Sequence, residues 1–278
     1  MKVHPHFLCA LCLGLLATSC ETGPRPPEPG TPAFYWGAAL ETYKAGDLAK
    51  TNADLQEVLQ SDNDFTARAR IFQIAVSAGM ARGAEELGSA YEAGIKLNRN
   101  DPGPLRRRLT QVRAQAGHSA LDLAQQVQTL LAQDKSPQIS LEFPFPPGSA
   151  AEPPALQRLR TGMIMPDADA DTLEAAMLEK GVVEVVCRLA GSADDTAKAL
   201  QVFQQSPVRV TRETFLLAAA RILNDEAVIF TQKQLDQPQR LRAMYQQALA
   251  ALGQAPESKD TKALTSQIQA AMKKLPGT

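Results

Sequence analysis

Several charged clusters and two isolated side chains are the places where this chain can carry chemistry. Asp167, Asp169 and Asp171 alternate along the sequence, and alternating aspartates can offer oxygen ligands to calcium. A calcium loop that opens this way needs glycine at its sixth position and glutamate at its twelfth, where Thr172 and Leu178 stand. The three aspartates are therefore read as a helix start, where carboxylates satisfy free N–H groups and complement the dipole. Arg106, Arg107 and Arg108 follow the Asp101-Pro102-Gly103-Pro104 turn. Consecutive helical residues point about 100° apart, so the three cannot form one patch. A solvated face is expected; the alternative is that Arg107 turns into a groove and meets a partner's carboxylate. Glu142 and Glu184 are acidic residues from which a glycan-hydrolysing pair could be assembled in space, although no spacing singles them out.

His4 and His6 lie in the first 19 residues, which leaves His118 for everything after them. One imidazole excludes multi-histidine metal sites and makes any Ser–His or Cys–His mechanism depend on a single residue. It follows Gly117 and reads as a surface residue. Cys187, in VVEVVCRLA, reads as a buried structural thiol. GxGxxG, GxxxxGK[ST], GxSxG and HExxH do not occur in the sequence. No cofactor and no metal are expected. Net charge is −1 over the 278 residues, which argues against a nucleic-acid partner, since such proteins show a basic excess.

Cys20 carries the most specific signal. Lys2 precedes an apolar run of 11 residues, Phe7 to Ala17, too short to span a bilayer, which takes about 20. It fits a secretory leader over residues 1–19. The run Leu16-Ala17-Thr18-Ser19-Cys20 resembles the lipobox of bacterial lipoproteins. That resemblance implies cleavage before Cys20 and acylation of its thiol, although the family prefers leucine where Ala17 stands. The alternative is an ordinary signal peptide. Glu21 to Pro32 contains five prolines, so residues 20–32 read as an extended tether. Glu21 is not the aspartate that the resemblance associates with inner-membrane retention. The expected location is the outer membrane, facing the periplasm.

Prolines also mark residues 135–154 as a linker, with a short strand at Ile139 to Phe143. They divide the chain into a module at 33–134 and a second at 155–278. Alanine supplies about one residue in six, beside leucine, glutamine, arginine and glutamate, all strong helix formers. Apolar residues recur at spacings of three and four, as in Leu48, Leu55, Val58 and Leu59. The expected fold class is all-α. Helices are expected in the second module at 155–163, 170–180, 182–190, 194–205, 211–223, 225–235, 238–252 and 260–275, with Gly181 breaking a hairpin.

Ala-Gly recurs at Ala45-Gly46, Ala78-Gly79 and Ala116-Gly117, spaced by 33 and 38 residues. The stretch from Tyr43 to Lys50 resembles the turn between the two helices of a tetratricopeptide repeat. Thr51 departs from the family's alanine and Asn63 from its proline. The resemblance implies stacked helical hairpins, a solenoid over 33–132, with a concave face lined by each first helix. Its inward positions would be Trp36, Leu40, Tyr43 and Lys44, then Gln73 and Val76, then Arg107, Gln111 and Gln115. Trp36 and Tyr43 are seven apart and share a helix face, and aromatics and arginine are common binding anchors. The alternative is that Trp36 caps the end of the core.

The expected function is a non-enzymatic, membrane-anchored scaffold without a cofactor that docks another envelope protein in an outer-membrane, secretion or pilus assembly. The competing readings are a periplasmic cell-wall enzyme with a carboxylate pair and a plain spacer.

Overall fold

The computed structural model describes residues 26–144, 151–192, 201, 203, 207–231 and 233–275. Cys20 and most of the helix expected at 194–205 lie outside these residues. Helix dominates, and each early boundary has a local cause. The Thr31 hydroxyl accepts the Phe34 N–H at 3.3 Å and Pro32 opens α1, Pro32–Lys44. Gly46 reverses the chain at φ +76°, a conformation that side chains disfavour. Asp47 then accepts the Lys50 N–H at 3.0 Å and starts α2, Leu48–Val58. Thr51 is fully buried between the two helices and donates to the Asp47 carbonyl at 2.8 Å. Asn63 closes the next turn, its amide donating to the Val58 carbonyl and its oxygen accepting the Phe65 N–H.

The next helix, α3, Thr66–Leu97, is 32 residues long, and every residue from Ile71 to Gly79 is buried. A helix apolar on all sides belongs at the centre of a fold. An antiparallel neighbour, α4, Gly103–Gln133, is tied to it at both ends, by Arg70 to Gln133 at 2.7 Å and by Glu92 to Arg113. Strand β1, Gln138–Leu141, pairs antiparallel with β2, Val208–Thr211, setting Ile139 opposite Val210 and Leu141 opposite Val208. The short α5, Pro154–Arg160, meets the C-terminal end of α3, and α6, Asp167–Leu189, packs along it. Arg212–Glu226 forms α7, Ala227–Phe230 one 3-10 turn, Pro238–Gln254 α8 and Lys259–Lys273 α9. Thr211 caps α7, and Ser258 with Thr261 makes a capping box for α9. Among the described residues, no helix is long and apolar enough to cross a membrane.

Helix is thus the right class, but the hairpin pattern holds only at Ala45-Gly46. Ala78-Gly79 lies inside α3, Ala116-Gly117 inside α4, and Gly181 inside an unbroken α6. Glycine inside a helix costs about 1 kcal/mol relative to alanine. Here its missing side chain admits a neighbouring backbone. A methyl on Gly79 would overlap the backbone of Val182, one on Gly83 the Met177 carbonyl, and one on Gly181 the Gly79 carbonyl. At Gly117 a Cβ would come within 2.7 Å of Leu235. Of the helix expected at 225–235, Asp225 and Glu226 end α7 and Ala227–Phe230 form the 3-10 turn, because the chain turns extended at Thr231 and takes a positive φ at Asp236.

Nor do the prolines of 135–154 separate two cores. Ile139, Leu141 and Phe143 from that stretch are buried in one apolar cluster that also holds Leu55, Val182 and Ile222. The expected modules at 33–134 and 155–278 share it.

The glycine contacts give a direct test by urea unfolding. Gly181→Ala is expected to lose about 2 kcal/mol or more, because overpacking a tight contact costs roughly 1–3 kcal/mol. Gly37→Ala, in α1 with nothing near its missing Cβ, is expected to gain about 0.5–1 kcal/mol. Equal responses would show that the crossing is not tight.

Candidate functional site

The residues expected to share one groove fall at two separate places. Trp36 is half-buried, stacked on Phe65 with centroids 5.9 Å apart and edge-on to Phe72 at 6.0 Å. The Arg68 guanidinium covers its ring at 5.7 Å. Tyr43 is buried against Phe72 at 5.1 Å, and burial raises its phenol pKa, with Glu179 adding to it. Leu40 is half-buried against the core, while Lys44 is exposed and pairs with Glu41 at 3.0 Å. Gln73 and Val76 are buried, and the Gln73 amide donates to Asn52 at 3.0 Å. Trp36 therefore caps the end of the core, and Tyr43, Gln73 and Val76 are part of it. The physical reason is that α3 is enclosed on all sides, so its inward positions face neighbouring helices.

Arg107 and Gln111 are exposed on α4, beside Tyr91 of α3. Phe72 and Tyr91 are 19 residues apart on one helix, about 28 Å at 1.5 Å per residue. A cleft of about 490 Å³ opens at the Tyr91 end. Tyr91 and Leu159 contribute buried surface, and α4 contributes Leu105, Arg107, Arg108 and Gln111. Ile164 and Met165, from the connection between α5 and α6, complete the lining with the first turns of α6. Arg108 clamps that side. It donates to Asp171 at 2.5 Å and to Asp167 at 2.8 Å, and these hydrogen bonds raise its pKa, the Asp167 bond most. The alternating aspartates thus open α6, as expected, and two of them also tie α6 to α4.

Exposed apolar side chains collect here. Ile164 is 42% exposed, Met163 48% and Leu97 64%. The Asn98 amide donates to the Gly162 carbonyl at 3.0 Å, which brings Leu97 and Met163 to the same joint. These three residues have no local sequence signature, because they come from segments more than 60 residues apart.

The other candidates are structural. Lys180 donates to Glu86 and Glu184 at 2.7 Å each, and Arg82 reaches Glu184 at 3.4 Å and Glu85 at 3.6 Å. Burial lowers the Lys180 pKa, but the bonds to Glu184 and Glu86 more than offset that and leave it raised. Glu142 pairs with Arg68 at 3.6 Å. Since Arg68 and Arg82 are 14 residues apart on α3, about 21 Å, Glu142 and Glu184 do not form a pair. Burial pushes the Cys187 thiol up to about 11, with Glu184 adding to it, so the thiolate nucleophile is scarce at neutral pH. His118 is exposed, 3.5 Å from Asp122. Among the described residues, no group of three or more His, Cys, Asp or Glu could hold a metal ion.

Glu226, at the end of α7, is buried, and its carboxyl is pushed up to about 8, chiefly by burial; Arg82 pulls it down and Glu85 raises it. Below pH 4.5 this group is protonated in folded and unfolded chains alike. Between 4.5 and 8 only the unfolded chain ionises, so stability falls as pH rises. Glu226→Gln is expected to match the parent at pH 4 and to exceed it by ~1–4 kcal/mol at pH 9, from about 1.4 kcal/mol per pKa unit. Urea unfolding at the two pH values checks it; an unchanged difference would show that Glu226 ionises freely.

Comparison with family models, curated protein sequences and solved structures finds no match to the chain.

Proposed function

We propose that the chain is a non-enzymatic, lipid-anchored scaffold of the bacterial cell envelope, held to the membrane by acylated Cys20. The observation that carries this reading is the order of the N-terminal signals. A leader-length apolar run ends in small residues and Cys20, a proline-rich stretch follows, and the first capped helix starts at Pro32. Two or more acyl chains give stable anchoring where one is marginal. The tether, 12 residues from Cys20 to Thr31, reaches at most about 42 Å. The outer membrane, facing the periplasm, is the proposed location.

The tetratricopeptide-like character of the scaffold rests on the α1–α2 hairpin, with Gly46 at its turn and Leu55 and Val58 buried on its second helix. Its docking surface is the cleft beside Arg107 and Gln111, where exposed apolar side chains lie with a guanidinium that makes no ion pair among the described residues. The partner is another envelope protein.

Fractionation tests the anchor. The parent is expected in the membrane pellet and in the detergent phase of Triton X-114, and Cys20→Ala in the aqueous phase. Mass spectrometry of the parent should find the leader absent and a diacylglycerol on Cys20. A bare thiol, or unchanged partitioning of the variant, would overturn the reading.

A further inference from the structure

We propose that Arg82 is a proton-controlled latch between helices. While the Glu226 carboxyl is neutral, Arg82 spans Glu85 on α3 and Glu184 on α6. Once Glu226 loses its proton, Arg82 leaves Glu85 and ties α3 to the end of α7. This device is independent of the anchor and of the scaffold reading.

Three features of the charge cluster support it. First, Glu226 stands where its own charge is poorly provided for. It is 3% exposed, in the last turn of α7 and directly before the buried 3-10 turn. Its carboxyl accepts no hydrogen bond and makes no ion pair among the described residues. A helix C-terminus also disfavours a negative charge. Charges reach it from Arg82 and Glu85 on α3, from Arg188 on α6 and from Asp225 on its own helix. Burial, more than any of these, makes the group hold its proton up to a pH of about 8.

Second, the surrounding cations are already in use. Arg82, Arg160, Lys180 and Arg188 pair with Glu85, Glu86, Glu152, Glu184 and Asp225. Four cations thus face five carboxylates before Glu226 is counted. A further buried negative charge is costly unless paired, so it is met by drawing a cation from an existing pair.

Third, Arg82 is the cation held least. Lys180 lies 2.7 Å from both Glu86 and Glu184, Arg160 2.8 Å from Glu152 and Arg188 3.1 Å from Asp225. Arg82 comes no closer than 3.4 Å to Glu184 and 3.6 Å to Glu85. Burial lowers the Arg82 pKa; the charge of Glu226 raises it most, ahead of Glu184 and Glu85, and together they leave it raised. The side chain is 33% exposed, so it can change rotamer without repacking the core. Its fork of five N–H donors can keep one on Glu184 while others turn to Glu226. Lys180 holds Glu184 in any case, so the carboxylate that gives up its cation is Glu85.

Carbon-13 NMR of the full-length protein in detergent, with labelled arginine and glutamate, tests the latch between pH 6 and 10. Signals are assigned by their loss in Glu226→Gln, Glu85→Gln, Glu86→Gln and Arg82→Lys. The Glu226 carboxyl is expected to ionise with a midpoint near 8. The Arg82 Cζ and Glu85 Cδ signals should step at that same midpoint. Glu86, which Lys180 holds, should stay level and controls for a change of field without movement. In Glu226→Gln both steps should vanish, while circular dichroism matches the parent. An ordinary carboxylate midpoint for Glu226, or an Arg82 signal that stays level while Glu226 ionises, would overturn the proposal. So would equal steps at Glu85 and Glu86, or steps that persist in Glu226→Gln. Should that variant fail to fold, the four signals of the parent still decide.

Discussion

The fold depends on one contact made without side chains, the crossing of α3 and α6. Gly79 and Gly83, one turn apart on α3, face Gly181 and the backbone from Met177 to Val182. Glycine lets two helix backbones approach more closely than interdigitating side chains allow. That approach makes α3 central, with α4 along another side and α2 and α5 near its two ends. It also sets the register in which Lys180 falls between Glu86 and Glu184, and Arg82 reaches Glu184. Buried and half-buried ion pairs of this kind add little stability by themselves, because desolvation opposes the attraction. They do penalise a shifted crossing, which would leave charges unpaired.

Enclosing α3 on every side has a cost along its length. The Tyr43 hydroxyl, the Gln73 carbonyl oxygen and the Ser77 hydroxyl are buried with no hydrogen-bond partner among the described residues. Each such group costs about 1–3 kcal/mol. The aromatic contacts of Phe72 with Tyr43, Trp36 and Phe143 supply packing at the same end. Aromatic packing is therefore concentrated at the Phe72 end, whereas the Tyr91 end keeps a cleft and exposed apolar side chains.

Much of the helical class was legible from alanine content and from three–four spacing, and the Gly46 turn was legible as local chemistry. Helix lengths were not. Ala-Gly serves equally as a turn with positive φ and as a close contact inside a helix, and only the neighbour decides which. The sequence around Gly79 does not announce Val182, 103 residues later. The strand expected at Ile139 to Phe143 lies at Gln138–Leu141, but its partner at Val208–Thr211, only four residues long, was not legible. At the site, Arg107 and Gln111 share a face by spacing alone, and the structure keeps them together. Trp36 and Tyr43 also share a face, but aromatic residues serve cores and grooves alike, and here that face looks inward. The patch of Leu97, Met163 and Ile164 had no local signal because it is assembled from distant segments.

The Arg108 clamp has the opposite character to the glycine crossing. Its two carboxylates are water-accessible, with Asp167 92% and Asp171 65% exposed, so dissolved ions screen them. The contact of Gly79 and Gly83 with the α6 backbone carries no side-chain charge for such ions to screen. The ionic strength of the surrounding medium thus acts on the mouth of the cavity while the body that carries it stays as it is.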